Sequence, residues 1–83
     1  MTFCYGSYYC ELAYSTQRFM IWNKILDDEE LIGYIESDGC YPNFRPNPTK
    51  RLYTANDLDA VIHFIEKVHE GVSKAWPLVK YMI

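Results

Sequence analysis

Residues 54–70, TANDLDAVIHFIEKVHE, carry the plainest helical pattern in the chain. Leu58, Val61, Ile62, Ile65 and Val68 recur at spacings of three and four, which puts them on one face of an α-helix. Thr54 stands where an N-cap belongs, and Asp57 follows three residues on, close to the pattern of a capping box. Asp57 and Asp59 suit the positive end of the helix dipole, and Lys67 and His69 suit the negative end. Adding Ala60 and Phe64 widens the apolar arc to roughly half the circumference at about 100° per residue. That arc is wider than one sheet requires. Further on, Gly71 is either a C′ cap or a position the helix passes through to Ala75. Pro77 is expected to stop it, and 78–83 then read as a short final strand.

Working back from the helix, residues 39–53 read GCYPNFRPNPTKRLY. Pro42, Pro46 and Pro48 exclude a central strand or a helix and hold the residues before them extended. An extended loop is expected, basic through Arg45, Lys50 and Arg51 and aromatic through Tyr41, Phe44 and Tyr53, with a short strand at 51–53. Residues 27–38 have the opposite character, with six acidic side chains and no basic one. They form either a short helix ended by Gly39 or an acidic turn at 27–30 followed by a third strand at 31–36. The strand is favoured, because the chain has to reverse after the strand that precedes it.

That preceding strand is RFMIWNKIL at 18–26, with Phe19, Ile21 and Ile25 on one face and Met20, Trp22 and Lys24 on the other. TFCYGSYYCELAY at 2–14 reads as one long strand. Cys4, Tyr8, Cys10, Leu12 and Tyr14 would share one face, and Phe3, Tyr5, Ser7, Tyr9 and Glu11 the other. A short loop at 15–17 would join the two as a hairpin. Both faces of the first strand carry aromatic rings, so one can pack on the helix while the other needs a second cover or a partner.

A chain of 83 residues is expected to make one small domain, burying only about 60% of its unfolded surface. With 49% hydrophobic and 23% charged residues the composition is that of a globular protein. No apolar run approaches the roughly 18 residues of a membrane span, and the N-terminus lacks the basic and apolar regions of a secretion signal. A cytoplasmic protein is expected. The net charge of −3 argues against general nucleic-acid binding, which draws on surplus Lys and Arg. Eight Tyr, four Phe and two Trp are either the filling of a small core or the aromatic surface of an interface. Three cysteines cannot all pair with one another, and three reduced thiols fit a cytoplasmic site.

Chemistry-bearing constellations are sparse. His63 and His69 lie about 240° apart around a helix and cannot share an ion, and no C-x-x-C pair occurs, so no metal and no cofactor is expected. Cys10 beside His69 is conceivable as a nucleophile and base, but a buried Cys next to a core histidine is the commoner arrangement. The glycines stand singly, without a phosphate-binding loop.

These readings lead to an α+β fold: a small antiparallel sheet of three to four strands with one long amphipathic helix packed on one face. The expected function is non-enzymatic protein binding, as a small stoichiometric inhibitor or adaptor. A phage or mobile-element protein that blocks a nuclease or defence complex is one concrete form. Tyr5, Tyr9 and Trp22 would make the contact, with Asp27, Asp28, Glu29 and Glu30 steering a basic partner. Self-association as a homodimer is another way to cover the second aromatic face. The alternative is a nucleotide or single-stranded nucleic-acid module using Tyr41, Phe44, Arg45, Lys50 and Arg51, residue types that stack on bases and neutralise phosphates.

Overall fold

The computed structural model describes residues 2–13, 17–37 and 41–82, with side chains described for these as far as Gly71 except at Ser37. It has five strands, β1 (Thr2–Tyr5), β2 (Tyr8–Ala13), β3 (Arg18–Ile25), β4 (Asp28–Ser37) and β5 (Pro42–Pro46), followed by one helix, α1 (Ala55–Met82). The strands form one antiparallel sheet in the order β1-β2-β3-β4-β5. Each strand therefore lies beside its sequence neighbours. The α+β class and the β2–β3 hairpin are as expected, but the sheet has five strands, two of which the sequence reading did not resolve as such.

The first extra strand comes from Gly6. The stretch read as one strand is folded into a hairpin, with Tyr5 facing Tyr8 across a Gly6–Ser7 turn. Gly6 has φ +61, which only glycine adopts without cost and which the first position of a type II′ turn requires. The fold-back changes the faces. Phe3 and Tyr5 join Tyr8 and Cys10, and Cys4 joins Tyr9. The second extra strand is β5, with Pro42 and Pro46 at its ends. It occupies the sheet edge, where a missing N–H is tolerated. Residues 51–53 form no strand.

The acidic run is not a loop. Only Leu26 and Asp27 turn, and Asp28 opens β4 opposite Ile25. Within β4 the register shifts, with Ile21 facing Gly33 and Trp22 facing Leu31. Ile32 is thus the extra residue of a β-bulge. Its carbonyl accepts hydrogen bonds from the Tyr53 hydroxyl at 2.7 Å and the Asn47 amide at 3.2 Å, and its side chain turns fully into the core.

The core lies between one face of the sheet and α1. It combines Cys10, Ile21, Ile32 and Ile35 with Ala60, Val61, Phe64 and Val68, edged by Phe3, Phe19, Phe44, Tyr53 and Ile65. The buried stripe is narrower than the expected arc: Ala60, Val61, Phe64 and Val68 are buried as expected, whereas Leu58 and Ile62, at its other edge, are exposed. Thr54 caps the helix: its Oγ1 accepts from the Asp57 amide at 3.1 Å, and Asp57 accepts from the Thr54 amide at 3.0 Å. α1 then runs through Gly71 and Pro77 to Met82, so neither a stop at Pro77 nor a strand at 78–82 occurs. Gly71 lacks the positive φ of a C′ glycine. Pro77 forfeits one helical bond, but its fixed φ near −65° is itself helical. No described helix is long and apolar enough to cross a membrane. Tyr14, Ser15, Thr16 and Cys40 lie outside the described residues, so of the expected loop at 15–17 only Gln17 is described, as a turn residue with φ +54.

Candidate functional site

Register determines which side chains appear on the face of the sheet away from α1. Cross-strand partners share a face, so the pairings line up in four rows about 7 Å apart along the strands. Lys24 faces Glu29 in the first row, next to the β3–β4 turn. The second row is Cys4, Tyr9, Trp22 and Leu31, and the third is Thr2, Glu11, Met20, Tyr34 and Arg45. Ala13, Arg18, Glu36 and Asn43 form the fourth. Tyr9, Met20, Trp22, Leu31 and Tyr34 are half-buried by their neighbours alone, and no described element covers them. An apolar and aromatic centre thus sits inside a charged frame, the layout of a protein interface.

The frame is held by local contacts. Arg18 and Arg45 each approach Glu36, at 3.6 and 3.5 Å, and the Arg18 guanidinium lies 4.5 Å from the centre of the Tyr34 ring. Lys24 sits 5.9 Å from the centre of the Tyr9 ring. Burial, then the adjacent Glu29 carboxylate, pushes the Tyr9 hydroxyl up to about 12, so it remains a neutral donor at physiological pH. The Trp22 indole N–H is enclosed with no acceptor among the described residues. A shallow cleft of about 360 Å³ opens between Cys4, Tyr9, Lys24 and Glu29.

The second surface is the tip of the β3–β4 hairpin. Ile25 is half exposed and Leu26 is 97% exposed, flanked by the exposed carboxylates of Asp27, Asp28 and Glu29. Leu26 holds φ +55, a left-handed conformation that disfavours a branched side chain.

Of the residues expected to make contact, Tyr9 and Trp22 are direct neighbours on the open face, while Tyr5 is not with them. The Gly6 turn carries Tyr5 to the helix side, where its ring stacks on His63 at 4.2 Å and its hydroxyl donates to Asp59 at 2.6 Å. Glu30 is also turned inward, to Lys50 at 3.0 Å. The open face adds Met20, Leu31 and Tyr34, and the tip adds Ile25 and Leu26. A Gly-Ser pair between alternating aromatic residues was the hairpin signal that would have sorted these faces.

The basic loop does not assemble a ligand site. Lys50 is spent on Glu30 and Asp57, and Phe44 packs against the core beside Tyr53. Arg45 points to the open face, whereas Tyr41 lies against His69 at 4.7 Å. Arg51 is exposed. The five residues serve different surfaces.

Two further clusters have ionisable groups, and both are built into the fold. Asp57 is 3% exposed and accepts from the Tyr8 hydroxyl at 2.5 Å and from Lys50 at 3.2 Å. Burial would raise its carboxyl, but bonds from Tyr8, Thr54 and Lys50 outweigh that and lower it. Lys50 is raised: burial works against its charge, and Glu30 and Asp57 more than compensate. Cys10 lies wholly inside the core, and burial pushes its thiol up to about 12, which leaves almost no thiolate at neutral pH. Among the described residues no three His, Cys, Asp or Glu side chains are grouped to hold a metal ion. No known protein family, curated protein or solved structure matches the chain.

Proposed function

We propose that this chain is a non-enzymatic protein-binding protein, an inhibitor or adaptor that acts by occupying a basic surface of another protein through the β3–β4 tip. Leu26 carries the reading. A glycine or asparagine would satisfy its backbone, and a polar residue would suit its exposure. A leucine there is unfavourable on both counts for the isolated fold, which is the mark of a residue kept for contact. Asp27, Asp28 and Glu29 around it supply the field that would steer a cationic partner. A mobile-element product that blocks a nuclease or defence complex is the form of this activity with the right chemistry, since proteins that grip nucleic acid present such cationic surfaces.

The test is affinity capture from source-cell lysate, with nuclease treatment, using the wild type, Leu26→Gly and Asp27→Lys/Asp28→Lys. A stoichiometric protein that survives nuclease and is lost with both variants is the expected result. Leu26→Gly should meanwhile raise the melting temperature by about 4–8 °C, as relief of about 1 kcal/mol does in a domain of this size. Binding that is indifferent to both variants would overturn the reading. Recovery of nucleic acid alone would point instead to the basic residues of 41–53.

A further inference from the structure

We infer that the open face of the sheet is the interface of a symmetric homodimer, in which two copies pack face to face about a two-fold axis running along the strands between β3 and β4. A two-fold contact must be complementary to itself, and that condition can be checked on the register. Packed sheets keep their strands within about 30° of each other. Two axes in the plane between them achieve this, one along the strands and one across.

The axis along the strands exchanges β3 with β4 and β2 with β5 within each row. Lys24 then lies opposite Glu29 of the second copy, Arg18 opposite Glu36, and Glu11 opposite Arg45. These six are all of the charged side chains that the register places on the face, and each meets its opposite. The first two matches follow from cross-strand pairs already present on β3 and β4. The third is independent of them, because Glu11 and Arg45 sit three strands apart, about 14 Å. The axis across the strands fails the same condition, setting Lys24 against Arg18 and Glu29 against Glu36. The charge pattern thus selects one orientation.

The centre agrees with the frame. Trp22 faces Leu31 of the second copy and Met20 faces Tyr34, so apolar side chains interleave in the roughly 10 Å between packed sheets. The face is electroneutral, three anions against three cations, on a chain whose net charge is −3. A second copy therefore meets no net repulsion across it. The patch measures roughly 20 Å by 15–20 Å, from the row and strand spacings, or about 600–800 Å² for the two copies together, which is below the size of stable complexes and places the contact among weak, transient ones with micromolar or weaker association. Of the tip residues only Glu29 is shared with the contact; Leu26, Asp27 and Asp28 lie outside it, so the Leu26→Gly and Asp27→Lys/Asp28→Lys variants leave the interface intact and this inference and the proposed function fail separately. In the dimer both tips point toward the same end, which would double the acidic surface offered to a partner.

Sedimentation equilibrium of the full chain from roughly 1 to 300 µM tests the inference, a range that brackets micromolar association. The wild type should follow a monomer–dimer equilibrium. Glu11→Arg alone and Arg45→Glu alone should each weaken it by about tenfold or more, because each creates two like-charge contacts. An equimolar mixture of the two variants should recover association, since every introduced charge then faces its opposite on the other molecule. The separation of Glu11 from Arg45 within one chain means that such rescue acts only between copies. If Arg45→Glu disturbs folding through its contact with Glu36, Lys24→Glu mixed with Glu29→Lys repeats the logic on another pair. A monomer at every concentration, single variants that associate like the wild type, or a mixture no better than its components would each overturn the inference.

Discussion

Asp57 shows how much one side chain holds in this small fold. It is the third residue of α1, and its carboxylate completes the helix cap while joining Tyr8 of β2 to Lys50 of the preceding loop. Lys50 continues the chain to Glu30 on β4. Helix start, loop and two strands therefore meet at a single buried charge. The cap was legible in the sequence, because Thr54 and Asp57 have cap spacing. The rest was not, since Tyr8 and Asp57 are 49 residues apart and nothing local signals the contact. Removing one member of a buried ion pair strands the other, which typically costs about 3–5 kcal/mol. Asp57→Ala is expected to lose about that much in urea denaturation, a large part of the stability of any domain of this size. A loss under 1 kcal/mol would mean that Lys50 and Tyr8 find water or other partners readily.

At the scale of elements, the outcome turned on two glycines. Alternation of apolar residues along 18–25 and the three- and four-residue spacing along 58–68 are local signals, and the β3 strand and α1 helix they imply are present. Pairing partners are not local signals. The Gly6–Ser7 turn exchanged the faces of β1, and the bulge at Ile32 did the same for half of β4, so Tyr5 lies on the helix side and Leu31 on the open face. A one-residue slip moves every side chain to the other face, which is why the open face could be foreseen as aromatic but not listed residue by residue. Gly33 makes the bulge possible for a steric reason. A Cβ there would lie 2.5 Å from the Arg45 carbonyl oxygen and 2.7 Å from the Phe44 ring. Phe44 is a core side chain packed on Tyr53, so the clash has no easy exit. Gly33→Ala should lower stability by about 1–3 kcal/mol, the usual range for overpacking, and should weaken amide-exchange protection first in β5. Gly71→Ala is the control, since a Cβ there meets nothing within 4 Å, and a helical Gly→Ala change is expected to stabilise by about 0.5–1 kcal/mol.

On the scale of the whole molecule, the buried hub makes stability a function of pH on both sides of neutrality. Asp57 has a lowered pKa in the fold, so its contribution is present above the unfolded value near 4 and is lost as pH falls through the folded one. Tyr8 works in the other direction. Burial first, and its bond to Asp57 second, raise its hydroxyl from 10.0 to about 12. The neutral phenol is the form the fold prefers, so this stability is complete below about pH 10 and lost as pH rises toward 12. Lys50 is raised as well and has the same sign, losing its contribution as its ammonium deprotonates. The urea midpoint should therefore stay level between about pH 5 and 8 and fall on either side, the alkaline fall opening with the buried Cys10 thiol, which the fold raises from 9.0 to about 12. Linkage makes the Tyr8 part of the alkaline fall about 2–3 kcal/mol, from a shift of about two units. Tyr8→Phe should start less stable at neutral pH by about 1–3 kcal/mol, because Asp57 loses a buried donor. Its midpoint should then fall less steeply than the wild type above pH 10, leaving the Cys10, Tyr5, Tyr9 and Lys50 parts of the slope, all of them raised in the fold. Parallel alkaline limbs in the two proteins would show that Tyr8 ionises as easily folded as unfolded, and that the hub is held by Lys50 and the helix cap without it.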